Sequence, residues 1–171
     1  INVIKNLGSL YIDSGNIRQA EHLLLRALKG QEQLYGADHP KTLSTVNAIG
    51  NMYCGKGDYK QAEPLLSRAL KGKEQIFGAE HPQTIAELCN LGMLYRFKGD
   101  YEKAEALVMR AVKASEQHDG KDHPDTLTIK SNLGNIYWKK GDYKQAKILH
   151  MEVLEARERI VGAEHPDTLK S

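Results

Sequence analysis

His39-Pro40-Lys41-Thr42-Leu43-Ser44-Thr45-Val46-Asn47-Ala48-Ile49-Gly50-Asn51-Met52-Tyr53 is the stretch from which the fold is read. Pro40 has no backbone N–H to lose and suits the first position of a helix. Behind it, Leu43, Val46, Ile49, Gly50 and Tyr53 advance by threes and fours, the spacing of one helical face rather than of a strand. Gly55 and Gly57 break that helix. Asp58, with Gln61 three residues on, predicts a cap for a second one. This second helix carries Tyr59, Ala62, Leu65, Leu66, Ala69, Leu70 and Ile76 on one face. It ends in Phe77-Gly78-Ala79-Glu80, where Gly78 suits a helix-ending left-handed position.

The unit recurs. His-Pro stands at His39-Pro40, His81-Pro82, His123-Pro124 and His165-Pro166, each pair 42 residues after the last. Gly8, Gly50, Gly92 and Gly134 keep the same step, as do Tyr11, Tyr53, Tyr95 and Tyr137, and Ala20, Ala62, Ala104 and Ala146. Asn16/Gln19 and Asp142/Gln145 repeat the capping arrangement, and Asp100/Lys103 keeps the cap alone. A fixed period of this size is the mark of stacked repeats, in which each unit packs only on its neighbours. The expected fold is therefore an all-α solenoid of antiparallel helix pairs: four repeats of 42 residues and the start of a fifth. The repeats run at about 1–38, 39–80, 81–122 and 123–164, with 165–171 opening the fifth, all in one domain.

The small residues predict the packing. Glycine inside a helix costs roughly 1 kcal/mol against alanine, yet all four first helices keep one. The cost is understandable where a neighbouring helix crosses too closely for a side chain. The periodic alanine of the second helix is the expected counterpart, and the tyrosine one turn past each glycine is expected to fill the gap to the adjacent repeat. Pro64, in the second turn of its helix, removes one backbone bond and predicts a slight bend rather than a break.

Composition excludes several classes. With 40% hydrophobic and 27% charged residues and a net charge of +2, the chain has neither a basic stripe for nucleic acid nor an apolar run that could span a membrane. Two cysteines make no disulfide framework, which points to a reducing, cytoplasmic setting. Phosphate-loop, nucleophile-elbow and His-Glu-x-x-His motifs are absent, so no catalytic residue and no cofactor is assigned. The repeated histidines lie one repeat apart and do not converge, so no metal site is assigned. Each is expected to pair with the acid before it: Asp38, Glu80, Asp122 or Glu164.

Asn132-Leu133-Gly134-Asn135-Ile136-Tyr137, Gly141-Asp142-Tyr143-Lys144-Gln145-Ala146 and Arg68-Ala69-Leu70 together resemble the tetratricopeptide repeat. The 42-residue version, with its Gly-Ala-Glu-His-Pro-x-Thr loop, is similar to the repeats of kinesin light chains. It also resembles arrays in fungal and bacterial nucleotide-binding receptor-like proteins. The third unit departs at its end, where His118-Asp119-Gly120 stands for Ile76-Phe77-Gly78. The resemblance implies a right-handed superhelix with the first helices lining a concave groove. It places the peptide-binding groove at Lys5, Asn6, Asn47, Asn51, Asn90, Met93, Arg96, Phe97, Asn132, Asn135, Trp138 and Lys139, with Asn2, Ser9 and Asp13 at further positions of the first helix. Asparagine carries both donors and an acceptor, which suits the main chain of an extended peptide. Arg96 and the aromatic residues are of the types enriched at binding hot spots. Cys54 and Cys89, on successive first helices, are expected as shielded free thiols.

The function expected is a protein–protein interaction scaffold that holds an extended peptide or partner helix in its groove. The alternative is a structural or regulatory array packed against another domain of a larger receptor-like ATPase. Apolar Ile1, Val3, Ile4 and Leu7 at one end further predict end-to-end self-association.

Overall fold

The computed structural model describes residues 2–161, with side chains for all of these except 2, 3, 9, 13 and 161. His165-Pro166, Glu164 and the fifth repeat at 165–171 lie outside the described residues, as do Ile1 and the side chains of Asn2, Val3, Ser9 and Asp13. Eight helices and no strand are found among the described residues: α1 (Asn2–Asp13), α2 (Ile17–Tyr35), α3 (Pro40–Gly55), α4 (Tyr59–Phe77), α5 (Pro82–Lys98), α6 (Tyr101–His118), α7 (Pro124–Lys140) and α8 (Tyr143–Val161). Each pair of helices matches one 42-residue repeat, and Pro64 lies inside an unbroken α4.

The chain forms two compact units, Ile1–Gly78 with α1–α4 and Ala79–Ser171 with α5–α8. In the first, α1 packs on α2, α3 on α4, and α2 on α3. Leu24, Leu43, Val46, Ile49 and Leu66 are fully buried there, with Ala20, Ala27 and Ala69 where the helices approach closely. In the second, α5 packs on α6, α7 on α8, and α6 on α7, around Leu88, Leu94, Leu127, Ile136 and Val153.

The helix-interior glycines are where the backbones meet. A Cβ on Gly50 would lie 2.7 Å from Leu66 Cδ2, one on Gly92 2.6 Å from Val108 Cγ2, and one on Gly134 2.7 Å from His150 Nε2. The expected alanine is not the main counterpart. Leu24, Leu66, Val108 and His150 fill the space a side chain would need, and the carbonyl oxygens of Ala20 and Ala104 would lie 3.5 Å from a Cβ on Gly8 and on Gly92.

Three of the four sequence-read caps form. Asp58, Asp100 and Asp142 accept from the backbone N–H groups of Gln61, Lys103 and Gln145. Asn16 does not cap α2; its amide donates to Ser14 Oγ at 3.4 Å instead. Gly78 has φ +86° as expected, but ψ is 171°, an extended left-side conformation that only glycine adopts readily.

The histidines depart from expectation. His39, His81 and His123 are N-caps: each Nδ1 accepts the N–H two residues on, from Lys41 at 3.1 Å, Gln83 at 3.2 Å and Asp125 at 3.3 Å. Asp122, the acid expected to hold His123, instead accepts from Arg159 Nη2 at 2.7 Å.

Repeats within a unit are tied by side chains. Glu21 of α2 accepts from Tyr53 Oη at 2.7 Å and Lys56 Nζ at 3.0 Å. Glu32 accepts from Arg68 at 2.8 Å, and Arg68 also reaches the Ala37 carbonyl. Lys140 donates to Glu105 at 2.7 Å. Tyr53 thus fills the gap to the preceding repeat as read from sequence, and is buried.

Candidate peptide-binding face

The twelve groove residues fall on the first helix of each repeat, four in the first unit and eight in the second. In the first unit Lys5 is half-buried, and its ammonium is held below the usual lysine range by that burial and then by the charge of Lys73. Asn6 is exposed on the next position of α1. On α3, Asn51 Nδ2 donates to Asn47 Oδ1 at 3.4 Å, so part of this amide pair is already used within the helix.

The second unit gathers more of the predicted face. Arg96 bends back along α5, its Nε and Nη2 lying 3.1 and 2.9 Å from Met93 Sδ. Its guanidinium stands 4.9 Å from the ring centre of Phe97. On α7 the Lys139 ammonium lies 4.6 Å from the Trp138 ring centre. Phe97 is 52% and Trp138 53% exposed, so large apolar rings beside fixed cations face solvent. Such surfaces are costly to leave bare and suit a partner that brings both apolar and acidic groups.

Met93, Arg96 and Asn132 come together around a crevice closed by Cys89, Val108 and Ile136. Its enclosed part is about 10 Å³, room for roughly one water and not for a metabolite. Asn132 and the exposed Asn135 make no side-chain hydrogen bond among the described residues. Asn90 is already engaged within α5, its Nδ2 donating at 3.4 Å to Oε2 of the buried Glu87. Val108 and Ile136 were missed by the sequence reading. The available signal was Val108 itself, a small residue at the register that faces the helix glycine, where Leu24 and Leu66 stand in the first unit.

The thiols are poor ligands and poor nucleophiles. Burial pushes Cys89 up to about 11 and raises Cys54 as well, so both stay protonated near neutrality. Among the described residues no group of three or more His, Cys, Asp or Glu is placed to hold a metal ion. No described helix is long and apolar enough to cross a membrane.

Another charged constellation escaped the sequence reading. Lys130 of α7 is 4% exposed, and its ammonium sits 2.8 Å from Glu116 Oε1 and 2.6 Å from Glu152 Oε1. Burial lowers its proton affinity, but the two carboxylates outweigh this and hold it above the usual lysine range. The signal was a lysine where the other repeats carry Ile4, Val46 and Leu88.

An all-helical repeat array that exposes polar and aromatic side chains among the described residues has the architecture of an interaction module. The chain belongs to the tetratricopeptide-repeat family, whose model matches residues 1–75, 43–117, 88–159 and 125–171, together the length of the chain. Such repeats are protein-interaction scaffolds and typically non-enzymatic. Solved structures share the fold. A Podosopora anserina kinesin light chain of nearly identical TPR-like repeats is 22% identical with a TM-score of 0.89, over 99% of this chain and 80% of that one. BtubC from P. vanneervenii is 23% identical with a TM-score of 0.86, over 96% of this chain and 65% of that one. A Rap protein complexed with Competence and Sporulation Factor is 17% identical with a TM-score of 0.76, over 98% of this chain and 50% of that one. No curated protein matches the sequence.

Proposed function

We propose that the first-helix faces hold an extended peptide segment of a protein partner, with the second unit supplying the principal contacts. The observation that carries this reading is the set on α5 and α7: unbonded amides at Asn132 and Asn135 beside Arg96, Phe97, Trp138 and Lys139. The amides are free to pair with peptide N–H and C=O groups, the rings offer apolar area, and the two cations orient an acidic side chain or a terminus. Lys5, Asn6, Asn47, Asn51 and Asn90 form the weaker part of the face. The Rap complex supports the reading, since an array of this fold there carries a second molecule. The chain itself supplies no catalytic step, cofactor or metal, and does not engage nucleic acid or membrane. We take the repeats as one solenoid domain at the boundaries read from sequence. Its two free cysteines favour the cytoplasm.

The test is a peptide-library selection on this chain, repeated with Asn132→Ala, Asn135→Ala and Trp138→Ala combined, and with helicity checked by circular dichroism. A motif selected by the unaltered chain and lost in the folded variant supports the groove. If the variant selects the same motif, or no motif emerges from either, the array instead serves as a structural or regulatory partner of another domain.

A further inference from the structure

We propose that Arg96 is the lid of a side-chain pocket that takes a short aliphatic residue, alanine or valine, next to an acidic one in the bound segment. This pocket belongs to the peptide face proposed above, on which the inference rests, and sets which residues that face selects.

Cys89, Met93 and Arg96 stand four and three residues apart, on one face of α5. These three and Asn132 of α7 are half-buried and line the crevice, whose deeper side is the buried Val108 of α6 and Ile136 of α7. Val108 stands opposite Gly92 where Leu24 and Leu66 stand opposite Gly8 and Gly50, so the wall is one methylene shorter in this repeat. The matched face of α3 carries Asn47, Asn51 and Cys54, so the apolar lining and the guanidinium belong to α5.

The lid is closed in this structure. Arg96 points Nε and Nη2 at Met93 Sδ, 3.1 and 2.9 Å away, and its guanidinium stands 4.9 Å from the Phe97 ring centre. With both side chains so placed, the enclosed space is about 10 Å³. A thioether is a weak acceptor, whereas a carboxylate accepts the same two donors in parallel and with charge. An acidic residue of the partner therefore draws Arg96 off the sulfur, and Met93, unbranched with three rotatable bonds, yields with it. What is uncovered is sulfur and hydrocarbon: Cys89, Met93, Val108 and Ile136. Burial pushes the Cys89 thiol up to about 11, so this wall carries no charge near neutrality. Such a lining suits a methyl or isopropyl group. Asn132 supplies an amide for the main chain that joins the two selected side chains.

Two measurements separate the lid from the pocket. The first is alkylation of Cys89 by iodoacetamide, read by mass spectrometry with Cys54 as the internal reference. It should be slow in the unaltered chain and roughly fivefold or more faster in Arg96→Ala, with Cys54 unchanged. Equal rates at Cys89 overturn the lid. The second repeats the library selection with Val108→Leu, which installs the residue already facing Gly8 and Gly50 and fills the pocket, with helicity checked. The unaltered chain should prefer alanine or valine over glycine beside an aspartate or glutamate by roughly tenfold. Val108→Leu should lose that preference and keep the acid; Arg96→Ala should lose the acid. Cys89→Leu, which fills the same space from α5, should repeat the Val108→Leu result. A motif that both filled variants select unchanged overturns the pocket and leaves the peptide face standing. If neither the unaltered chain nor any variant selects a motif, the pocket and the peptide face fall together.

Discussion

At the residue scale, two positions carry roles that a charge-based reading assigns differently. His81 sits immediately before a helix-opening proline, and its neutral ring uses Nδ1 as an acceptor for the Gln83 N–H. The Nε2 atom must then hold the proton. Reading the loop by opposite charges paired the imidazole with Glu80; the orphan backbone donors of the helix end win instead. His81→Ala should cost about 1 kcal/mol, and His81→Asn should recover most of it, since asparagine is among the best caps. Urea denaturation of the three proteins measures this, and equal loss in both variants would reject the capping role. Gly92 is the second case. Alanine there gains roughly 1 kcal/mol in helix propensity, but its Cβ would lie 2.6 Å from Val108 Cγ2. Overpacking of that kind costs about 1–3 kcal/mol, so Gly92→Ala should be neutral to destabilising. Adding Val108→Ala should then cost less than Val108→Ala does alone, a non-additivity a double-mutant cycle detects. The glycine period was plain in the sequence; which side chain it admits was not, because that depends on the crossing of two helices.

At the scale of the elements, the joints between helix pairs are electrostatic at their rims. Burial, then the bond to Glu21, pushes the Tyr53 hydroxyl up to about 12. Tyr53 and then Lys56 hold the Glu21 carboxyl below the usual range. An unfolded tyrosine titrates near 10. Below about pH 10 both states keep the Tyr53 proton and its contribution is fully present; between about 10 and 12 only the folded state keeps it, so stability falls as pH rises. Glu21 acts at the other end, its contribution present above the ordinary carboxylate range and lost as pH falls through its lowered value. Tyr53→Phe should therefore cost about 1–2 kcal/mol at neutral pH and flatten both limbs of the stability–pH curve. Lys130 and Tyr137, also raised, keep part of the alkaline limb, while Lys5, lowered, opposes it. An unaltered alkaline limb in the variant would contradict the assignment. The helices themselves were legible down to Asp58, Asp100 and Asp142. Asn16 is the exception: its amide nitrogen donates to Ser14 Oγ, and its side-chain oxygen accepts from no backbone N–H of α2. The Lys130 cluster stayed hidden because Glu116 and Glu152 approach it from helices on either side.

At the scale of the molecule, periodicity made the repeat fold readable, since four copies of one pattern restrain one another. The proposed binding face was readable only as a set of positions, because sequence does not say which amides are already spent. Asn51 bonds Asn47 and Asn90 bonds Glu87, whereas Asn132 and Asn135 bond nothing among the described residues. That difference ranks the face. For any peptide the groove selects, Asn132→Ala, Asn135→Ala and Arg96→Ala should each weaken binding by roughly tenfold or more, and Asn51→Ala and Asn90→Ala by roughly threefold or less. The chain's single tryptophan supplies the readout. Trp138 is half exposed on α7 beside Lys139, so its emission should start red-shifted and move to the blue as the peptide covers it. Titrations followed at that band give the ranking directly. If Asn51→Ala or Asn90→Ala proves the more damaging, or binding leaves Trp138 emission unmoved, the peptide lies elsewhere than along α5 and α7.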